Sequence, residues 1–143
     1  MRIIKFRGKF VYANADGSLK WIYGSLYQTD TLRNVCKAKI FETITYDGHT
    51  CTTDTEVLLG TVGQFTGIVD RNGVEIYEGD IIQTYDSGGK PILHEVYYLE
   101  NEARFATRLI GYENLNEGSL TQKWINELDF EVIGNIFDNS ELL

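Results

Sequence analysis

Apolar and polar residues alternate along most of this chain with the two-residue period of a β-strand. The alternating stretches are short, and most of them end at glycine, commonly beside Asn or Asp. The first, from about Ile3 to Tyr12, predicts a strand with Ile4, Phe6, Phe10 and Tyr12 on one face and Lys5, Arg7 and Lys9 on the other, around Gly8. Asn14-Ala15-Asp16-Gly17 predicts a turn, and Leu19, Trp21 and Tyr23 a second strand pairing back as a hairpin. Gln28 to Lys39 is ambiguous. Asp30 or Thr31 suits the cap of a helical turn containing Leu32 and Val35, whereas Val35, Cys36 and Ile40 also suit the start of a strand. Ile40 to Tyr46 alternates well, Asp47-Gly48 turns the chain, and His49 to Thr52 returns. Thr53 and Glu56 have the spacing of a capping box, predicting one helical turn ahead of Gly60.

The stretch Val62 to Ile82, VGQFTGIVDRNGVEIYEGDII, carries the densest pattern. Phe65, Gly67 and Val69 alternate with Thr66, Ile68 and Asp70, which predicts a strand. The following Asp70-Arg71-Asn72-Gly73 predicts a type I′ hairpin turn, in which Asn72 and Gly73 both take positive φ. Val74, Ile76, Ile81 and Ile82 form the return, interrupted by a tight turn or bulge at Glu78-Gly79-Asp80. Further strands are predicted at Ile81 to Tyr85, Ile92 to Leu99 and Ala103 to Ile110, separated by a loop at Asp86 to Pro91 and a turn at Asn101-Glu102. Gly111 to Gln122 is too polar for an interior, Trp124 and Ile125 bring the chain back to the core, and Glu131 to Phe137 reads as a buried strand with a bulge at Gly134. Leu142 and Leu143 are expected to fold back onto the body after a terminal turn.

These elements predict an all-β fold of short antiparallel strands. Within it, Val74 to Phe137 has the strand order of an SH3-like barrel packed on an N-terminal β unit. We therefore expect units at 1–70 and 71–143, tightly integrated because no Pro-rich or Ser-rich linker divides them.

Composition narrows the function. Charged residues are 24% and hydrophobic residues 43% of the 143, within the globular range. No apolar run is long enough to span a bilayer and no signal-peptide segment follows MRIIKFRGKF, so a cytoplasmic location without membrane partners is expected. Cys36 and Cys51 form no C-x-x-C pair and imply neither a zinc site nor a disulfide framework. Charge is uneven: eight basic and seven acidic residues precede position 71, against five and fourteen from there on. The acidic half disfavours nucleic-acid binding, leaving Lys5, Arg7 and Lys9 as the candidate grip on a phosphate backbone, or more simply a solvated strand face.

The two stretches VGQFTGIVDRNGVEIYEGDII and FEVIGNIFDNSELL, with the opening IIKFRGKF, resemble the YopX family of small phage and prophage proteins. The resemblance implies a small β-rich protein acting in a bacterial cytoplasm. It marks Gly67, Asp70, Asn72, Gly73, Gly79, Asp80, Gly134 and Asn135 as structural positions of the family pattern, and it transfers no catalytic residue or cofactor.

Enzymatic signals are sparse. The two histidines, His49 and His94, have no metal-binding spacing, and neither a G-x-S-x-G elbow nor a phosphate loop is present. A Cys51 nucleophile with His94 as its base is the one catalytic arrangement left to weigh. We expect no enzyme, metal or cofactor, but a binding or self-assembling module whose partner is a protein or a second copy. A single-stranded nucleic-acid accessory role is the alternative. Tyr77, Tyr85, Tyr97, Tyr98 and Tyr112 are candidates for an aromatic platform. The neighbours Tyr97 and Tyr98 must face opposite ways, so one of them should lie outside the core.

Overall fold

The computed structural model describes residues 1–29, 37–112 and 118–143, and divides into two compact units, Met1–Gln64 and Phe65–Leu143. Two antiparallel sheets carry the chain, as the alternation predicts.

In the first unit the strands are β1 (Phe6–Ala13), β2 (Leu19–Thr29), β3 (Lys37–Tyr46) and β4 (His49–Val57), and β5 (Gly63–Val69) begins there. Successive strands pair as hairpins. β1 also meets β4 at the single pair Phe10 with Val57, and the start of β5 at Gln64 and Gly63. Ile22, Ala38, Ile40 and Val57 form a small core, with Phe6, Phe10, Leu26 and Val62 against it. The helical turn predicted at Thr53–Glu56 is absent. Those residues continue β4, where alternate threonines fit a strand and each pairs with a residue of β3. Much of the ambiguous segment Gln28 to Lys39, namely 30–36 with Cys36, lies outside the described residues, as do 113–117 of the polar loop.

The second unit contains the rest of β5, β6 (Glu75–Tyr77), β7 (Asp80–Tyr85), β8 (Pro91–Leu99), β9 (Arg104–Leu109), β10 (Gly118–Ser119), helix α1 (Gln122–Glu127) and β11 (Glu131–Asn135). Here the expected barrel is not formed. The strands order as β10-β9-β8-β7-β11, an open antiparallel sheet in which β10 and β11 are the two edges and are not paired with each other. The reason lies in the edges and in what covers the sheet. β10 offers two residues for pairing, and β11 slips register between Val132 and Gly134. The apolar face is capped by α1 and Phe130, whose Ile125, Trp124 and Phe130 pack with Ile76, Ile82, Val96 and Leu120. A sheet covered in this way has no need to curl shut.

The turns follow a shared plan. Asp86 accepts from Gly89 N through its carbonyl and donates its own N–H to Lys90, with Gly89 at φ +78°. The Asn14 to Ser18 turn has the same bonds, with Gly17 at φ +83°. The Asp70 to Val74 turn does too, so the type I′ expectation there is corrected. Gly73 alone takes positive φ, whereas Asn72 does not, giving a type I turn closed by a glycine bulge. The type I′ form is found at Asp47-Gly48, where both residues have positive φ.

Candidate functional site

The family-pattern residues are engaged in building the second unit. Asp70, 4% exposed, accepts from Asn72 N at 2.7 Å and Val74 N at 2.9 Å through Oδ1, and from Val132 N at 2.9 Å through Oδ2. One carboxylate thus closes its own turn and ties it to β11. Asp80, 1% exposed, accepts from Tyr77 N at 2.7 Å. Gly79 holds φ +84°, donates to Val96 O and accepts from Ile136 N. Gly67 supplies the left-handed residue where β5 slips register against β6. At the other end, Asn135 Oδ1 accepts from Phe137 N and Asp138 N, and Asn139 Oδ1 accepts from Asn135 N. A Cβ on Gly134 would collide with the Asn139 side chain. None of these groups is presented for chemistry; they hold corners.

The catalytic pairing weighed from sequence finds its members in different settings. Cys51 is an exposed free thiol on β4 of the first unit. His94 sits in the second, its ring edge-on to Trp124 at 5.6 Å and Phe130 at 5.3 Å. Burial among these rings lowers its pKa from the usual 6.5, and its buried Nδ1 has no hydrogen-bond partner among the described residues. Among the described residues no group of three or more His, Cys, Asp or Glu side chains could hold a metal, and no helix is long and apolar enough to cross a membrane.

The cationic face of β1 is not solvated. Lys5 is half-buried, and Arg7 and Lys9 are 6% and 8% exposed, flanking the Trp21 indole with cation-to-centroid distances of 4.6 and 5.5 Å. Lys9 faces Trp21 directly in the β1–β2 register. The candidate tyrosines lie in different settings. Tyr77 is buried against Phe65, Tyr97 lies under Arg108 on one face of β8, and Tyr98, on the other face, is exposed and edge-on to Phe105. Arg108 itself forks onto Glu95 at 2.9 and 2.7 Å. Tyr112 lines an open groove of about 450 Å³ with Asp86, Lys90, Leu109, Leu142 and Leu143, so the terminal leucines do fold back, as a wall of that groove.

The surface that sequence reasoning missed is the outer half of the β3–β4 hairpin. Side chains from Thr43 to Asp54 are exposed on both faces. Cross-strand pairs sort them: Thr43 with Thr52 and Thr45 with Thr50 make a threonine face, and Ile44 with Cys51 and Tyr46 with His49 make a mixed apolar face. Tyr46 is 82% exposed and Ile44 45%. Salt bridges Lys39–Asp54 and Lys37–Glu56 brace the base of this ribbon, and beyond them its only charge up to the turn is Glu42 on one strand and Asp47 at the tip. The available signal was the absence of any Lys, Arg or Pro from Ile40 to Asp70 combined with the alternating Thr43 and Thr45 before the Asp47-Gly48 turn and Thr50 and Thr52 after it.

A family model described as "YopX protein" matches residues 5–143 of this chain. Among solved structures, the crystal structure of protein EF1440 from Enterococcus faecalis is similar, with a TM-score of 0.59 and 25% sequence identity, covering 100% of this chain and 99% of that one. Comparison with curated proteins finds no match.

Proposed function

The chain belongs to the YopX family, and from that premise we propose that it is a non-catalytic module of the bacterial cytoplasm, encoded by a phage or prophage, that works by binding protein. The observation that carries this reading is the outer half of the β3–β4 ribbon, an exposed surface of hydroxyl, aromatic and aliphatic side chains with no Lys or Arg from Thr43 to Thr53. Protein contacts favour aromatic and uncharged groups at their centre, whereas a nucleic-acid groove needs Lys and Arg along its track. The cations of β1 support the same reading, because Arg7 and Lys9 are buried beside Trp21 and not displayed. His94, enclosed by aromatic rings and with its pKa lowered, serves packing in this account.

The test is photo-crosslinking in cells from an unnatural amino acid at Tyr46. Protein adducts, whether to another protein or to a second copy, are expected. Adducts to nucleic acid alone, or none at all, would overturn the reading. His94→Ala, remote in sequence from the ribbon and set among aromatic rings of the second unit, is expected to leave the adduct pattern unchanged.

A further inference from the structure

We propose that the occupant of the ribbon is a second copy of this chain, joined edge to edge through β4. The inference rests on the protein-binding reading above and names the partner. Three observations lead to it.

The ribbon needs a neighbour. β2 pairs with β3 only between Lys37 and Phe41, and β1 meets β4 only at Val57. From Glu42 to Thr53 the two strands therefore have each other and no further strand among the described residues. An isolated two-stranded ribbon is marginally stable in water. Proteins usually guard such edges with lysine, proline or a bulge. This edge has none of these, since His49 to Glu56 pairs with β3 without a register slip and contains no Lys, Arg or Pro.

The edge is also self-complementary. A two-fold contact lays one patch against its own copy, so a patch with charge of a single sign meets charge of that sign. From His49 to Thr53 there is none at neutral pH. Tyr46 and His49 close the two-residue turn, and from there the antiparallel ladder alternates. It directs the backbone N–H and C=O of Thr50 and Thr52 away from β3, toward a new neighbour. A register centred on Cys51 sets Thr50 against the second copy's Thr52 and keeps the threonine faces of both ribbons on one side. It also keeps Asp54 away from its own counterpart. Thr45 and Thr50 already approach at 3.3 Å between hydroxyls within one chain, the pairing the second copy would extend.

Finally, net charge selects where two copies can meet. At −8 each, two chains repel. The fourteen acidic residues of the second half make contact there unfavourable, and the β3–β4 tip is a long exposed stretch nearly free of charge. A differently charged partner would find no counter-charge on it.

The experiment measures solution mass by light scattering on the full chain, with Thr50→Lys/Thr52→Lys as the disrupting variant. These positions are exposed and outside the core, so circular dichroism should confirm an unchanged fold. The wild type is expected at twice the 16.3 kDa of one chain and the variant at a single mass. In a Cys36→Ala background, mild oxidation is expected to trap a dimer through Cys51 and to trap none after Cys51→Ala. A monomeric wild type, or a dimer indifferent to the two lysines, would overturn the inference. If the wild type is monomeric while Tyr46 still crosslinks to a different protein, the protein-binding reading stands and the second copy alone is excluded.

Discussion

At the scale of single residues, the family pattern encodes backbone geometry. Asp70 satisfies three backbone N–H groups, two in its own turn and one across 62 residues in β11. Hydrogen bonds to a charged acceptor contribute about 1.5–3 kcal/mol each, and buried donors left bare add to the loss. Asp70→Ala is therefore expected to lower unfolding free energy by roughly 3 kcal/mol or more, and Asp70→Asn by less because one acceptor oxygen remains. Urea titration measures both. Gly79 adds a backbone case. At φ +84°, with Phe137 Cε2 3.0 Å from where a Cβ would stand, Gly79→Ala combines left-handed strain of about 1–2 kcal/mol with a steric contact. Gly60 has ordinary φ and open space around it, so Gly60→Ala is expected within about 0.5 kcal/mol of wild type. The turn-forming role of Asp70 was legible in the sequence because Asp precedes Asn-Gly. Its reach to Val132 was not, because nothing local marks a partner so distant along the chain.

At the scale of elements, strands and corners were readable from alternation and glycine, and the mistakes share a cause. Thr53-Asp54-Thr55-Glu56 fits a helix cap and a strand equally well by local rules, and the long β3 partner decided for the strand. Conversely, α1 is a six-residue helix whose cap, Thr121 accepting from Trp124 N at 3.1 Å, leaves almost no periodic signal. The open sheet escaped prediction because closure depends on whether strands distant along the chain meet at the edges, which no local pattern announces; it is this helix, with Phe130, that covers the face. α1 is fixed further by Gln122, which accepts from Val69 N at 3.0 Å and donates to Val69 O at 2.8 Å, acting as a substitute strand partner for β5. Between α1 and the sheet lies His94, which gives this element a pH dependence. Its folded-state pKa is lowered by burial from 6.5, so below that value the unfolded chain takes up a proton that the folded chain resists. Stability is thus full above pH 6.5 and falls as the pH drops through it toward the folded pKa. His94→Phe, which keeps a ring between Trp124 and Phe130, is expected to flatten the slope of unfolding free energy over that range. An unchanged slope would assign the acid sensitivity to other groups.

At the scale of the whole molecule, the decisive quantity is charge. A net −8 on each chain opposes every self-contact, and the uncharged β4 stretch from His49 to Thr53 lessens that opposition only where it touches. The long-range repulsion remains and responds to salt, since the screening length shortens from about 30 Å at 0.01 M to about 8 Å at physiological ionic strength. Self-association through β4 is therefore expected to tighten as salt is raised over that interval, followed by sedimentation equilibrium. Binding to a nucleic acid has the opposite sign, because each phosphate contact made by Lys or Arg is weakened as released counterions become less favourable to release. The direction of the salt response thus separates the two readings of this fold without a mutation: an affinity that falls with salt would return the cations of β1 to consideration, and one that rises would leave contact to the threonine-edged ribbon.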